Sequence, residues 1–390
     1  MQTDILIVGQ GICGTFLSHW LEQEGLSYIV IDEQRPSTAS KAAAGIINPV
    51  TGRRIVKTWM IDELLPFAFD AYRQMNKELG ISCLSLTETI EFFPTAQMRN
   101  AFMERYAAHP RITDPGKNTM NAKKADGTEF SGMPPDGAEY LDVPDTENAW
   151  NDWFRYDLGY GRISPCCLID LNSLLTAARK KLKDRGQLLE ERFDPAALHI
   201  SGESAQDKLE QSALVRYKDI QANRIVFCDG AGSFESPYFR NLPFAPNKGE
   251  ALIVEIGGLP SGSLIFKKGM VLAPWREGLY WLGSSYEWSF TDEQPTEAFR
   301  ARAGAVLKEW LKLPFGVVDH IASVRPATLE RRPFVGFLPL LKQVGILNGM
   351  GTKGCSLAPY FARQLAGHIK TGRPIQPDVD VKRFAKILGR

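Results

Sequence analysis

The chain carries almost no net charge: 46 lysines and arginines face 45 aspartates and glutamates, leaving +1. That balance gives a polyanion little to hold, so nucleic acid is disfavoured as a partner. Cysteine is sparse as well. Six are scattered through 390 residues, only Cys166 and Cys167 are adjacent, and no CxxC spacing occurs. The pattern argues against a disulfide framework and against a zinc site, and it fits a reducing compartment. No apolar run reaches the length that crosses a bilayer. None of the five histidines stands in a recognisable catalytic arrangement, and no segment repeats another. Asp4 and an apolar strand follow the first methionine almost at once, so cleaving a leader would destroy the first motif. The expectation is a soluble cytoplasmic protein without metal, nucleic acid or membrane span. Its length suits two domains or one elaborate one.

What is present begins with Asp4-Ile-Leu-Ile-Val-Gly-Gln-Gly-Ile-Cys-Gly-Thr. A short buried strand, 5–8, breaks into Gly9, Gly11 and Gly14 and runs into a helix. Gly9 suits a tight turn, Gly11 lets backbone N–H groups approach a pyrophosphate, and Gly14 lets the helix lie close on the strand. The helix N-terminus adds free donors and a positive dipole end. The strand 28–31 follows and ends in Asp32, where an acid would accept ribose hydroxyls. A plain glycine turn in an ordinary α/β fold is the alternative.

Small residues then fill 36–49, PSTASKAAAGIINP, letting backbone pass closely over a flat ligand; a flexible surface loop is the other reading, which apolar 42–47 opposes. A basic turn holds Arg53 and Arg54, which are either simply solvated or contacts for an anion. Helices are expected over 62–79, with Leu64, Leu65, Ala68, Tyr72 and Met75 on one face, and over 96–108, 169–185, 298–311 and 360–369. Strands are expected over 88–93, 188–193, 197–201, 213–217, 250–256, 270–273 and 279–284, with a surface loop over 114–137. The strand from residue 224 runs into a second glycine turn at Gly230, where open α/β sheets bind ligands. Near the end, a strand passes through three glycines into the last of these helices.

In their order and spacing these segments resemble the glycine oxidase, D-amino-acid oxidase and sarcosine oxidase family of FAD-dependent amine oxidoreductases. The resemblance covers nearly the full length. Its most specific parts are GQGICG with Asp32, AAAGII, VRPATLERRPFVG and NGMGTKGCSLAP; FCDGAG, PNKGEALIV and LYWLGSSYEW match more loosely. It implies an α/β fold, a discontinuous Rossmann-like FAD-binding domain with an inserted, mainly antiparallel β substrate domain. The FAD domain would comprise 1–80, 160–242 and 333–390, and the substrate or cap domain 81–159 and 243–332.

Carried over by position, the resemblance puts Ile12 and Cys13 at the pyrophosphate turn and Asp32 and Glu33 at the adenosine ribose. Ser40, Ala44, Gly45 and Ile46 would line the flavin, and Phe193 would offer backbone to the adenine. Gly349, Met350, Gly351, Thr352, Lys353, Gly354 and Cys355 would wrap the pyrimidine edge of the ring. Reduction places negative charge at that edge, and a helix N-terminus helped by Lys353 is aimed at such charge. A plain helix cap is the bland alternative. Arg325 matches the family arginine that grips the substrate carboxylate, a task suited to its planar, two-pronged donor. Apolar Ile321, Val324 and Pro326 set it apart from an arginine in a surface ion pair. Arg53 or Arg54 would supply a second carboxylate or phosphate contact, and Trp275, Trp281, Tyr286 and Trp288 could wall the pocket or belong to the core.

Four departures from the family pattern stand out. Glu330-Arg-Arg-Pro replaces an acid and a glycine, and Thr352 replaces a second arginine. Trp281 stands where some members carry an oxygen-activating lysine, and no cysteine for covalent flavin attachment lies near Arg325. The implied cofactor is therefore non-covalent FAD, with the electron acceptor open between O2 and another. The implied reaction is oxidation of a small amino or N-alkyl amino acid to the imine by hydride transfer to flavin N5. An FAD-dependent 2-hydroxy-acid dehydrogenase and a non-catalytic FAD-binding protein are the alternatives. A tRNA-modifying enzyme is disfavoured by the neutral charge, and an NAD enzyme would not need the glycine-rich C-terminal segment.

Overall fold

The fold was analysed in a computed structural model that describes residues 1–108, 121–123, 129–131, 140–144, 148–201, 214–260 and 262–388. Two large sheets organise it. In the first, Gln2–Val8 lies between Tyr28–Ile31 and Ile220–Phe227, both parallel to it. Leu188–Leu189 extends the sheet on one side, and Val344–Asn348 pairs parallel with Ile220–Phe227 on the other. Phe334–Phe337 closes that edge antiparallel. The hairpin Leu198–Ile200 and Val215–Tyr217 pairs with the start of Ile220–Phe227. All residues of Tyr28–Ile31 and Val344–Asn348 are buried, which suits strands covered on both faces.

Helices Ile12–Gln23, Ile61–Leu79, Leu171–Asp184 and Gly354–Thr371 pack around the first sheet. In Ile61–Leu79 the buried face includes Leu64, Leu65, Ala68, Tyr72 and Met75, as the periodicity predicts. The last helix begins six residues before its expected start. Pro359 sits inside it and has no N–H to give the carbonyl of Cys355. The Tyr72 hydroxyl donates to that carbonyl instead, at 3.0 Å.

The second sheet runs Phe315–Arg325, Asn247–Ile256, Tyr280–Gly283, Met270–Pro274, Ile265–Lys268, Leu84–Phe92, Tyr160–Ile169 and Ile46–Ile47, with Leu141–Asp142 also on Tyr160–Ile169. Every pairing is antiparallel except that of Ile265–Lys268 with Leu84–Phe92. By sheet membership the chain leaves this sheet after Ile169 rather than at 160, where the domain boundary was expected. Pro165 reads as a strand breaker, but the strand accommodates it with a register shift between Ile163 and Cys166. The eleven-residue strand Phe315–Arg325 was not expected either, because Asp319 and His320 interrupt its apolar pattern. Within the expected loop 114–137, Asn121–Lys123 pairs with Glu129–Ser131; the rest lies outside the described residues. No helix among the described residues is long and apolar enough to cross a membrane.

Candidate cofactor and substrate site

A cavity of about 1490 Å³ opens between the two sheets. Ligand pockets usually hold about 300–1,000 Å³, so this one has room for a cofactor and a smaller molecule together. Both terminal glycine clusters face it. Its walls include Gly9, Gly11, Ile12, Cys13, Asp32, Glu33, Ser40, Ala44, Gly45, Ile46, Phe193 and Gly230, then Met350, Gly351, Thr352, Lys353, Gly354, Cys355 and Arg325. Gly14 and Gly349 stand behind the wall. Arg53 and Arg54 do not line the cavity; they lie exposed on the turn joining Val50–Thr51 to Val56–Lys57. Trp281 and Tyr286 belong to the wall, whereas Trp275 and Trp288 do not.

The first turn fits a dinucleotide by its backbone. A Cβ on Gly14 would lie 1.9 Å from the Gly9 carbonyl oxygen, so the helix can approach the strand only with glycine there. The helix Ile12–Gln23 starts at Gly11 with no side-chain cap and no acid in its first turn. Gly354–Thr371 starts in the same bare way at Lys353. Two positive helix ends therefore meet one cavity, as an anionic ligand requires. Ser40 is the local partner of the first, accepting from the Ile12 N–H at 3.1 Å.

Asp32 is held more firmly than its position alone suggests. Its carboxylate accepts from Gln10 N at 2.9 Å, Gln34 N at 2.9 Å and Arg179 Nη1 at 2.6 Å. Arg179 is buried and also pairs with Glu190 at 2.9 Å. Its role was not legible, since a lysine-rich helix face reads as solvated. Glu33 pairs with Arg35 at 2.6 Å. The Phe193 ring packs on Tyr217 and Phe227, leaving its backbone at the cavity wall.

Arg325 closes the roof strand Phe315–Arg325. Its Nη1 donates to Asn247 Oδ1 at 2.6 Å and to the Ser285 carbonyl at 3.1 Å, and the guanidinium lies over the Tyr286 ring at 4.7 Å. Gly249 makes space for it, because a Cβ there would sit 1.9 Å from Nη2. The glycine inside the strand Asn247–Ile256 was the sequence signal for this close approach, and it went unread. Burial lowers the Arg325 pKa from the ordinary guanidinium value, with Tyr286 opposing. Lys353 Nζ donates to Thr58 Oγ1 at 2.9 Å. Burial, aided by Arg331, lowers Lys353 to about 8. Among the described residues neither Arg325 nor Lys353 has a carboxylate in ion-pair reach. Two such cations on one wall can receive anionic groups of a ligand.

Three further features bound the chemistry. All six cysteines are free and buried. Among the described residues no three His, Cys, Asp or Glu side chains converge on a metal-sized space. Asp229, beside Gly230, is raised to about 6 by burial, against the hydrogen bond it accepts from Ser233.

Comparison with known proteins agrees with this geometry. The family of FAD dependent oxidoreductases abbreviated DAO matches residues 4–367. A glycine oxidase of Pseudomonas aeruginosa is 30% identical over 173 residues, 43% of this chain and 46% of that protein, so the chain spans about half the length of that relative. An uncharacterized oxidoreductase of Bacillus subtilis, YurR, is 22% identical over 93% of both chains. Among solved structures, glycine oxidase from Geobacillus kaustophilus superimposes with a TM-score of 0.72 at 17% identity over 96% of each chain. Iminodiacetate oxidase from Chelativorans does so with 0.68 at 18% identity over 98% of each. With its glycine turns, bare helix ends and two-sheet architecture around one cavity, the chain belongs to the DAO family of FAD-dependent oxidoreductases.

Proposed function

We propose that the protein binds FAD non-covalently and oxidises a small amino or N-alkyl amino acid to the imine. The observation that carries the amino-acid reading is Arg325: a sheltered guanidinium on the cavity wall, braced through Nη1 and free of acids among the described residues. Its Nη2 edge remains for a substrate carboxylate. Gly9, Gly11, Ile12, Cys13 and Gly14 would hold the diphosphate, Asp32 and Glu33 the ribose, and Phe193 the adenine through its backbone. Ser40, Ala44, Gly45 and Ile46 would flank the ring, with Gly230 at the second turn. The segment from Gly349 through Met350, Gly351, Thr352, Lys353, Gly354 and Cys355 would meet the pyrimidine edge.

Bound FAD supplies the two-electron acceptor. The chain's own contribution is positioning. Arg325 fixes the carboxylate, so the α C–H is presented in one orientation and proximity lowers the barrier. The roof sheet would shield the reacting face, with Trp281 tied to the 36–49 segment by donating from Nε1 to the Ala42 carbonyl at 3.0 Å. Lys353 and the start of the helix Gly354–Thr371 would stabilise negative charge at the pyrimidine edge. Six free cysteines suit a cytoplasmic, reducing setting for this work.

The test is anaerobic bleaching of the purified yellow protein by a panel of amino and hydroxy acids. Bleaching by amino acids is expected; bleaching by hydroxy acids alone would replace the substrate class. Arg325→Met should lower kcat/KM for carboxylate substrates about tenfold to a hundredfold, matching the roughly 1.5–3 kcal/mol of a charged hydrogen bond. The yellow colour should persist. An unchanged kcat/KM would remove Arg325 from its role.

A further inference from the structure

One charged pair on the roof has no part in that scheme. Lys267 lines the cavity, and its Nζ lies 2.6 Å from Glu91 Oε2. Glu91 is wholly buried, and its Oε1 has no hydrogen-bond partner. Burying a carboxylate costs several kcal/mol even when it is paired. A lysine needed only to balance Glu91 would not have to reach the cavity. Here the pair is unequally placed: Lys267 lines the cavity with its side chain partly open, whereas Glu91 is wholly buried and does not line it.

The sheet register relates this ammonium to Arg325. Lys267 pairs with Val271, Val271 with Gly283, and Gly283 with Ala251. All four line the cavity, as does Gly249, the residue beneath Arg325 on the strand of Ala251. Lys267 thus stands three strand spacings from Ala251, about 14 Å across the roof. The surface between is apolar, formed by Ala251, Val271 and the Trp281 indole, which packs beside Gly283. Glycine anchored at Arg325 would reach none of it.

We propose that the substrate is an amino acid with an extended apolar arm ending in a carboxylate, and that Lys267 receives this second anion. The inference rests on the reading of Arg325 as the anchor of the first carboxylate. An ammonium has three donors, and Glu91 takes one of them. The remaining N–H groups would meet the arm's end; Thr89, whose hydroxyl contacts Cys166 Sγ at 3.4 Å, also lines the cavity. Glu91 acts as a positioning residue that fixes the ammonium.

The holoenzyme is titrated without oxygen with N-alkylglycines whose arms, at graded lengths, end in carboxylate, carboxamide or methyl. Perturbation of the flavin spectrum reports binding, and bleaching reports turnover. At the fitting length, the carboxylate-ended arm should bind about tenfold to a hundredfold more tightly than the methyl-ended arm. The double variant Lys267→Met with Glu91→Gln, which leaves no unpaired buried charge, should erase that preference. Lys267→Arg should keep most of it, which guards against a variant that merely folds poorly. Equal binding of both ends at every length in the native protein overturns the inference, as does a preference that survives the double variant. Bleaching by methyl-ended arms is scored separately and tests the proposed oxidation itself. End-group preference without bleaching would support Lys267 and refute the oxidation.

Discussion

Helices meet this cavity in two ways. Ile12–Gln23 and Gly354–Thr371 begin on it with no cap from their own N-cap residues and no acid in the first turn, although Ser40 accepts from the Ile12 N–H. Leu171–Asp184 also borders the cavity, from Leu171 and Asn172 at its start to Leu175, Thr176 and Arg179, yet its first turn is capped by Asp170, which accepts from Ser173 N at 3.0 Å. Glu297–Trp310, away from the cavity, is capped by Thr296 in the same manner. A cap normally adds about 1 kcal/mol, so leaving two starts bare costs stability in the ligand-free protein. The donors left open are those a diphosphate and an electron-rich ring edge would use. On the function proposed above, the missing caps are complements to a ligand rather than defects.

The largest break in this contrast should come from Gly14→Ala. Its Cβ would overlap the Gly9 carbonyl, a backbone atom that cannot rotate away. The helix start must then shift off the cavity, at a cost of about 3 kcal/mol or more. FAD affinity, read by fluorescence quenching, should fall about a hundredfold or beyond. Retained affinity would mean that the close approach is dispensable.

Supplying the missing cap separates stability from binding. A Cβ in Gly11→Asp would meet Ser40 Oγ at 3.3 Å, a tight contact with a side-chain atom that can rotate aside. Thermal melting should show the ligand-free protein stabilised by roughly a few tenths of a kcal/mol, while FAD binds at least about tenfold more weakly through like-charge repulsion. Asp170→Ala is the mirror experiment: it should lose about 1 kcal/mol with FAD affinity unchanged. If both variants moved stability and affinity together, the two kinds of helix start would not differ in purpose.

The smallest effect concerns Lys353. Burial lowers it to about 8 from 10.5, so between those values the unfolded chain holds a proton that the fold has released. Stability therefore rises with pH across that window. Lys353→Met should raise the melting temperature of the ligand-free protein most at neutral pH, and the gain should shrink toward pH 10.5. A gain independent of pH would show that the charge is not what the fold resists.

Much of the first sheet was readable because each signal was local. The first strand, the glycine turn and the strand ending at Ile31 follow one another within a span that propensity and spacing can cover. The helix over 96–108 matches Ala96–Ala108, and that over 298–311 matches Glu297–Trp310 within a residue. Tyr160–Ile169 and Phe315–Arg325 were not readable. Pro165 and the Asp319-His320 pair are tolerated only because neighbouring strands absorb a shift in register or because one side of the strand stays open. The resemblance supplied Arg325, but Asn247, Ser285 and Gly249 became its cradle only through strand pairing.

The sequence by itself determined the glycine turn, the acid at the end of the second strand and the bare start of the first helix, since these depend on backbone freedom within a few residues. Tertiary structure alone decided that Arg325, Lys353 and Lys267 face one cavity while Arg53 and Arg54 face solvent. Which side of a strand or turn a cation occupies is set by the sheet register and by what packs behind it. Those partners lie tens to hundreds of residues away, as the 176-residue separation of Glu91 and Lys267 illustrates.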